Sequence, residues 1–463
     1  QGTDASFERA GRAHWTARAM ARTRRIFRLR TTVVGSYPKP PYLSIPDWFA
    51  PSEDKKGLLG TNLAAYSDFV SAMTEEEKVR LEEDIMKATA EVLQEQCRCG
   101  VDVPTDGEVR RENYIHFLCR FIDGIDFAGL SETSVRNGAF VANIPTIRGK
   151  VSWRGGLSCA EEWKKAQAVS PGAPVKYTLP GPMTIIGSTA NAYYEDEASL
   201  AADLAAIVNL HVRELSEAGC KHIQVDEPLF ARRPDAALEY GVRLLDACFA
   251  GCAPDVEKTV HMCCGYPGLV DQKDYLKADR SAYFKLAHAI DESCVDAVSI
   301  EDAWRHNDLK LLRLFKKTKV ILGVVDVASS RVESTSQIQR RLTSALRHIP
   351  AERLVVAPDC GLAMLNGPHR PLLTKKLMNM CCAAKWVPAP AKGPSVVPAA
   401  AASAAAAAAS AAPVRKRPAA SAGTLKRPAA SSKAHTAKRP AASGKRSAAA
   451  AARGPVHKVA KRS

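Results

Sequence analysis

His222-Ile223-Gln224-Val225-Asp226-Glu227-Pro228 joins a short β-branched run to two carboxylates and a proline that cannot continue a strand. Seven other runs have the same form. Before it come Thr31-Thr32-Val33-Val34 into Gly35-Ser36, Val101-Asp102-Val103 into Asp106-Gly107-Glu108, and Val175-Lys176-Tyr177-Thr178 into Gly181. After it come Thr259-Val260 into His261, Ala297-Val298-Ser299-Ile300 into Glu301, Val320 to Val325 into Asp326, and Leu354-Val355-Val356 into Asp359-Cys360. In the second half the runs recur at about 30 to 40 residues, and the stretches between them, such as Asp203 to Ala218 and Ser336 to Leu346, carry helical apolar periodicity. A strand and a helix repeated eight times predict an α/β chain folded as a parallel (β/α)8 TIM barrel. Such barrels build their sites at the C-terminal ends of the strands, where these polar residues fall.

The charge is distributed to match. The chain carries a formal +16, but residues 1 to 30 account for +6 and residues 388 to 463 for +15, which leaves the middle at −5. Three regions are therefore expected: an Arg-rich extension over 1–30, compatible with a transit peptide, a barrel over 31–387, and a disordered Ala/Pro/Lys/Arg-rich tail over 388–463. Lys-Arg-Pro-Ala-Ala recurs at Arg417, Arg427 and Arg439. Such clusters suit an import receptor or a nucleic acid, and that partner class is expected only through the tail. No apolar run is long enough for a membrane span, so no membrane partner is expected. Thirteen cysteines, an odd number, read as thiols of a reducing compartment. Cytoplasmic residence follows, with nuclear or organellar residence as the alternatives offered by the two basic ends.

Among these thiols, Cys263 stands two residues after His261. On an extended segment the two side chains face the same way, while Met262 faces the barrel wall. Cys360 and Glu301 end other strands and would meet them at the barrel mouth. One His, two Cys and one Glu form a nitrogen, sulfur and oxygen set suited to zinc. Cys264 should point away and serve a structural role.

Seven segments then resemble, in order, the catalytic half of the cobalamin-independent methionine synthases: Val33 to Pro38, Asp106 to Arg110, Pro180 to Thr184, Ile223 to Pro228, His261 to Cys263, Ser299 to Glu301, and Ala357 to Leu362. The resemblance covers about residues 31 to 387 and implies a single-barrel, core form. It implies that His261, Cys263, Glu301 and Cys360 bind zinc. It also implies that Val34, Gly35, Ser36, Glu108 and Asp226 hold the amino-acid end of homocysteine, whose thiol receives a methyl group to give methionine. Carboxylates suit an α-ammonium group, and Ser36 with its backbone suits a carboxylate.

The chain departs from the family on the side of the methyl donor. The family's histidine after the seventh strand falls at Ala328, which leaves Asp326 as the candidate proton donor. Its Trp falls near Ser188, its Arg-Cys pair near Phe140 and Val141, and a Glu near Arg232. The donor is therefore either a methylfolate or a methylcorrinoid, and its binding residues are not identified. Two alternatives to the main reading stay open: a related thiol methyltransferase fed by a methylcorrinoid, and a nuclear or polyanion-binding protein acting through the tail.

Overall fold

Seven parallel strands form one curved sheet in the order Arg30–Thr31, Leu354–Ala357, Lys319–Gly323, Ala297–Ile300, Glu257–Met262, His222–Asp226, Tyr177–Pro180. This computed structural model describes residues 26–48, 63–135, 140–273 and 275–390. Most of the Arg-rich extension and the basic tail from residue 391 lie outside the described residues, and the expectations for them with it.

The two edges of the sheet are joined by the stretch around Pro104. Thr32 bridges Val103 and Thr105 bridges Lys176, both in parallel sense, so residues 103 to 105 take the eighth position and close the ring. The expected strand at Val101 to Val103 is thus reduced to two single bridges. Pro104 explains the reduction, because it has no N–H to give to a ladder; its carbonyl still accepts the Lys176 N–H at 2.9 Å. The Gln96 side chain, from the helix Glu75–Cys99, supplies what the ladder lacks by bonding both the N–H and the carbonyl of Thr105.

The outer helices follow from periodicity and caps. Glu75–Cys99 buries Ile85, Ala88, Val92, Gln96 and Cys99, spaced three to four apart along one stripe. A reciprocal capping box between Thr74 and Glu77 starts it, and Gly100 at φ +95° ends it. The stretches read as helical become the helices Glu197–Glu217 and Thr335–Ala345, the latter opened by a Ser334/Gln337 capping box. Each such cap contributes about 1 kcal/mol.

One element lies outside the repeating pattern. Ile122–Val135 and Phe140–Trp153 form a long antiparallel hairpin, extended by Ala190–Asn191. Ile144 and Ile147 of its second strand are fully buried. Ile26–Phe27 pairs antiparallel with Val387–Pro388. Among the described residues no helix is long and apolar enough to cross a membrane, and all thirteen cysteines are free.

Candidate metal centre

A cavity of about 290 Å³ opens where the strands end, at the lower limit of the usual range for small-molecule sites, ~300–1,000 Å³. Val34, Gly35, Ser36, Glu108, Asp226, His261, Cys263 and Cys360 all line it. Of the residues expected in the site, Glu301 and Asp326 are not in the lining.

His261 leaves the strand Glu257–Met262 with its side chain inward, in register with Ser299 of the next strand. Ser299 Oγ sits 2.9 Å from His261 Nδ1, and the buried Nε2 has no partner in the protein. A ring fixed through one nitrogen, with the other bare, is the arrangement by which proteins orient a metal-binding imidazole. One ligand atom each from His261, Cys263 and Cys360 lie within 4.8 Å of one another, and these three form a group fit to hold a metal ion. The donor set and the orphaned nitrogen both fit zinc.

The protonation pattern follows from this proximity. Cys263 is the more acidic sulfur, because the Cys360 thiol donates to it and His261 adds positive charge, against the cost of burial. The same contact with Cys263 holds the proton on Cys360. Burial works against a charged His261, yet Cys263, Asp226 and Glu301 together lift its pKa. Cys264 faces away, with its sulfur 3.2 Å from the Tyr283 hydroxyl and in contact with Arg305.

Glu301 is completely buried beside this group. Its Oε1 accepts the Cys264 N–H at 2.8 Å and its Oε2 pairs with Lys277 Nζ at 2.7 Å. Burial raises its pKa while Lys277 opposes the rise. The turn after Glu301 is tied to the segment carrying Cys360 by Asp359, whose carboxylate accepts the N–H groups of Asp302, Ala303 and Trp304 at 2.8 to 2.9 Å.

Two buried carboxylates form the other polar part of the cavity. Burial raises Glu108 to about 7, with Arg111 opposing and Asp226 adding to the rise. Burial raises Asp226 to about 6 against the pull of His261. Glu108 adopts a left-handed backbone at φ +54°, and its Oε1 accepts the Thr178 hydroxyl at 2.8 Å. A Cβ at Gly35 would collide with that carboxylate, which accounts for glycine at this position. Asp226 accepts the Gln224 amide at 2.7 Å, and Gln224 in turn accepts Lys176 Nζ at 2.6 Å. The adjacent Glu227 turns the other way and accepts the N–H groups of Met183 and Thr184 at the start of the helix Pro182–Ile186. The Asp-Glu pair therefore divides: Asp226 serves the cavity and Glu227 caps a neighbouring turn. Ser36 packs against Gly361, where a Cβ would strike its Oγ.

The positions that differ from the family pattern are dispersed. Ser188 and Arg232 line the cavity. Ala328 is fully buried, its N–H donating to Asp326 Oδ1 and its carbonyl accepting from Asp271. Asp326 has a pKa raised by burial, with that same N–H opposing. Phe140 and Val141 lie on the hairpin, Val141 exposed.

Sequence reading missed several residues. Trp48 and Tyr114 stack at 5.8 Å in the lining, while Arg111 and Thr178 hold Glu108, and Lys176 holds Gln224. Ser299 alone had a signal, since it stands two residues before Glu301 on a strand and must face the same side.

Comparison with known proteins gives a consistent match. The family described as "Cobalamin-independent synthase, Catalytic domain" matches residues 65–386. The methionine synthase of Saccharolobus solfataricus is 30% identical over 362 residues, covering 78% of this chain and 95% of that protein. That of Sulfolobus acidocaldarius is 29% identical over 355 residues, 76% and 90% of the two chains. Among solved structures, a B12-independent methionine synthase from Shewanella sp. W3-18-1, in complex with selenomethionine, aligns with a TM-score of 0.65 at 27% identity, over 77% of this chain and 97% of that one.

Proposed function

The chain belongs to the cobalamin-independent methionine synthase family, and on that premise we propose that it moves a methyl group to the thiol of homocysteine, forming methionine at a zinc centre. The observation that carries this reading is the convergence of the bare His261 nitrogen with the Cys263 and Cys360 sulfurs in a cavity that also holds Glu108 and Asp226. In this reading His261, Cys263 and Cys360 hold the metal and Glu301 is its fourth, exchangeable ligand. Zinc, when bound, supplies the charge that removes the thiol proton and keeps the acceptor sulfur as a thiolate at neutral pH. Glu108 and Asp226 take the α-ammonium group, and Ser36 with the Val34-Gly35 backbone takes the carboxylate. The sulfur then gains a bond to the methyl carbon, and the donor keeps the electron pair of the bond that breaks.

A second reading concerns the donor alone. A methylated folate leaves well only if its nitrogen is protonated, and the family's histidine is here the buried Ala328, with Asp326 outside the cavity lining. A methylcorrinoid, whose metal takes the electron pair without a proton, fits this surrounding better. Methionine formation from homocysteine by the zinc-loaded full chain, supplied with methyltetrahydrofolate carrying one or several glutamates or with methylcobalamin, tests both readings. Turnover with neither donor would remove the first; turnover with the folate alone would remove the second.

A further inference from the structure

Lys277 is a buried cation to which the methyl-transfer reading gives no task. It stands between the strand Glu257–Met262 and the helix Ala282–Glu292, its side chain is 9% exposed, and its Nζ is 2.7 Å from Oε2 of Glu301. The ring centroids of Tyr266 and Trp304 each lie 4.5 Å from that nitrogen. The ammonium thus sits against two π faces and one carboxylate, a setting that keeps it charged and fixed. The other oxygen of Glu301 accepts the Cys264 N–H, so the protein itself supplies a strong donor to each oxygen. His261 is arranged in the opposite way, with a buried nitrogen that no protein group satisfies.

This contrast divides the four expected ligands into three that converge and one that is contested. We propose that Lys277 is a positioning residue that competes with the metal for Glu301, and thereby keeps the fourth coordination position exchangeable for the substrate thiol. The inference rests on the zinc reading above. Its charge balance is simple. The incoming thiol would release its proton to solvent, and its thiolate would take the place of the Glu301 carboxylate, one negative charge for another. Glu301, released, is neutralised by Lys277. Without Lys277 the released carboxylate would be an unpaired buried anion, which is strongly unfavourable. The carboxylate would then stay on the metal.

The test uses the full chain as wild type, Lys277→Met, Glu301→Gln and the double variant. Zinc affinity is measured by competition with a chromophoric chelator, and homocysteine binding by the absorption spectrum of the cobalt(II)-loaded protein. Lys277→Met, which leaves the Glu301 carboxylate unpaired unless the metal takes it, should bind zinc about tenfold tighter than wild type and need about tenfold more homocysteine to change the cobalt spectrum. The double variant, which leaves neither charge buried alone, should bind zinc no tighter than Glu301→Gln. Zinc affinity in Lys277→Met equal to or below that of wild type, or the same gain in the Glu301→Gln background, overturns the role of Lys277 and leaves the centre standing. Absence of thiolate-to-cobalt charge-transfer absorption in the wild type overturns the metal centre and this inference with it.

Discussion

The cavity is built from two kinds of residue. Those at strand ends, namely Asp226, His261, Cys263 and Cys360, are held by register and by hydrogen bonds within the sheet, as His261 is by Ser299 of the adjacent strand and Asp226 by Gln224 of its own strand. Those carried by the connecting segments, such as Trp48, Tyr114, Ser188, Arg232 and Tyr275, line the same space without a common scaffold. The strand-end set holds the residues that the resemblance assigns to metal and acceptor, and two of the segment-borne residues, Ser188 and Arg232, stand where it expects others. A barrel explains why the two can diverge: the strands share one ladder, so a change in one is felt by its neighbours, whereas each connecting segment can vary alone. On this view acceptor activation belongs to the barrel and donor choice to its loops.

The largest effect should come from breaking the strand-end set. Cys263→Ser or Cys360→Ser replaces a thiolate ligand by a hydroxyl, and either should lose stoichiometric zinc, read by metal analysis, together with at least about 10³-fold of the turnover. Full activity in either variant would end the assignment of these sulfurs to the metal.

A smaller effect is expected at the two buried carboxylates of the cavity. Glu108→Gln and Asp226→Asn remove a charge facing the proposed α-ammonium group but leave the His and Cys ligands in place. Each should raise KM for homocysteine by roughly 10- to 100-fold, the worth of a charge-assisted hydrogen bond, with zinc content unchanged. A fall in kcat and zinc content at constant KM would mean that these carboxylates support the metal and not the amino acid.

How far the sequence carried this division is itself informative. Runs such as Ala297 to Ile300 and Leu354 to Val356 are legible because strands buried on both faces are continuous and β-branched, and they appear at those positions. His261 and Cys263 are legible together because alternation on an extended segment is a local rule. The hairpin Ile122–Trp153 was not read, since it interrupts the strand and helix alternation on which the count relied. Lys277, Arg111 and Lys176 could not be read either. Each gains its meaning from a partner far away in sequence, as Lys277 does from Glu301 and Lys176 from Gln224, and no local period marks such a pair.

Acidity gives a finer probe. Burial has raised Asp226 to about 6 and Glu108 to about 7, so in the ligand-free protein both lose their charge as pH falls through those values. Affinity for homocysteine should therefore level off above about 7, fall by up to about tenfold per pH unit between about 7 and 6, where Glu108 protonates first, and fall more steeply below about 6, where Asp226 follows, measurable as KM against pH. Stability carries the opposite sign. A carboxyl whose folded pKa is raised contributes stability that is complete below its unfolded value, about 4, and is lost as pH rises through the folded one. Glu108→Gln removes that loss, and its melting temperature at pH 8 should exceed that of the wild type by a few degrees. Identical melting curves at pH 8 would mean that the Glu108 charge is already compensated by Arg111, 3.8 Å away.

The smallest effect should follow from restoring one loop residue. Ala328→His returns the family's proton donor, but Ala328 is fully buried and both its backbone groups are engaged. An imidazole must therefore displace its neighbours, at a cost of about 1 to 3 kcal/mol. Asp326 would stay tied to the same N–H, and Ser188 and Arg232 would still line the cavity in place of the family's Trp and Glu. If donor choice belongs to the segment-borne set as a whole, this substitution should raise methyltetrahydrofolate-dependent methionine formation by less than about tenfold and leave methylcobalamin-dependent formation unchanged. A gain of about a hundredfold or more would locate the difference in a single acid. The loops would then have kept a folate-shaped cavity around one missing proton, and the contrast between strand ends and loops would shrink to that position.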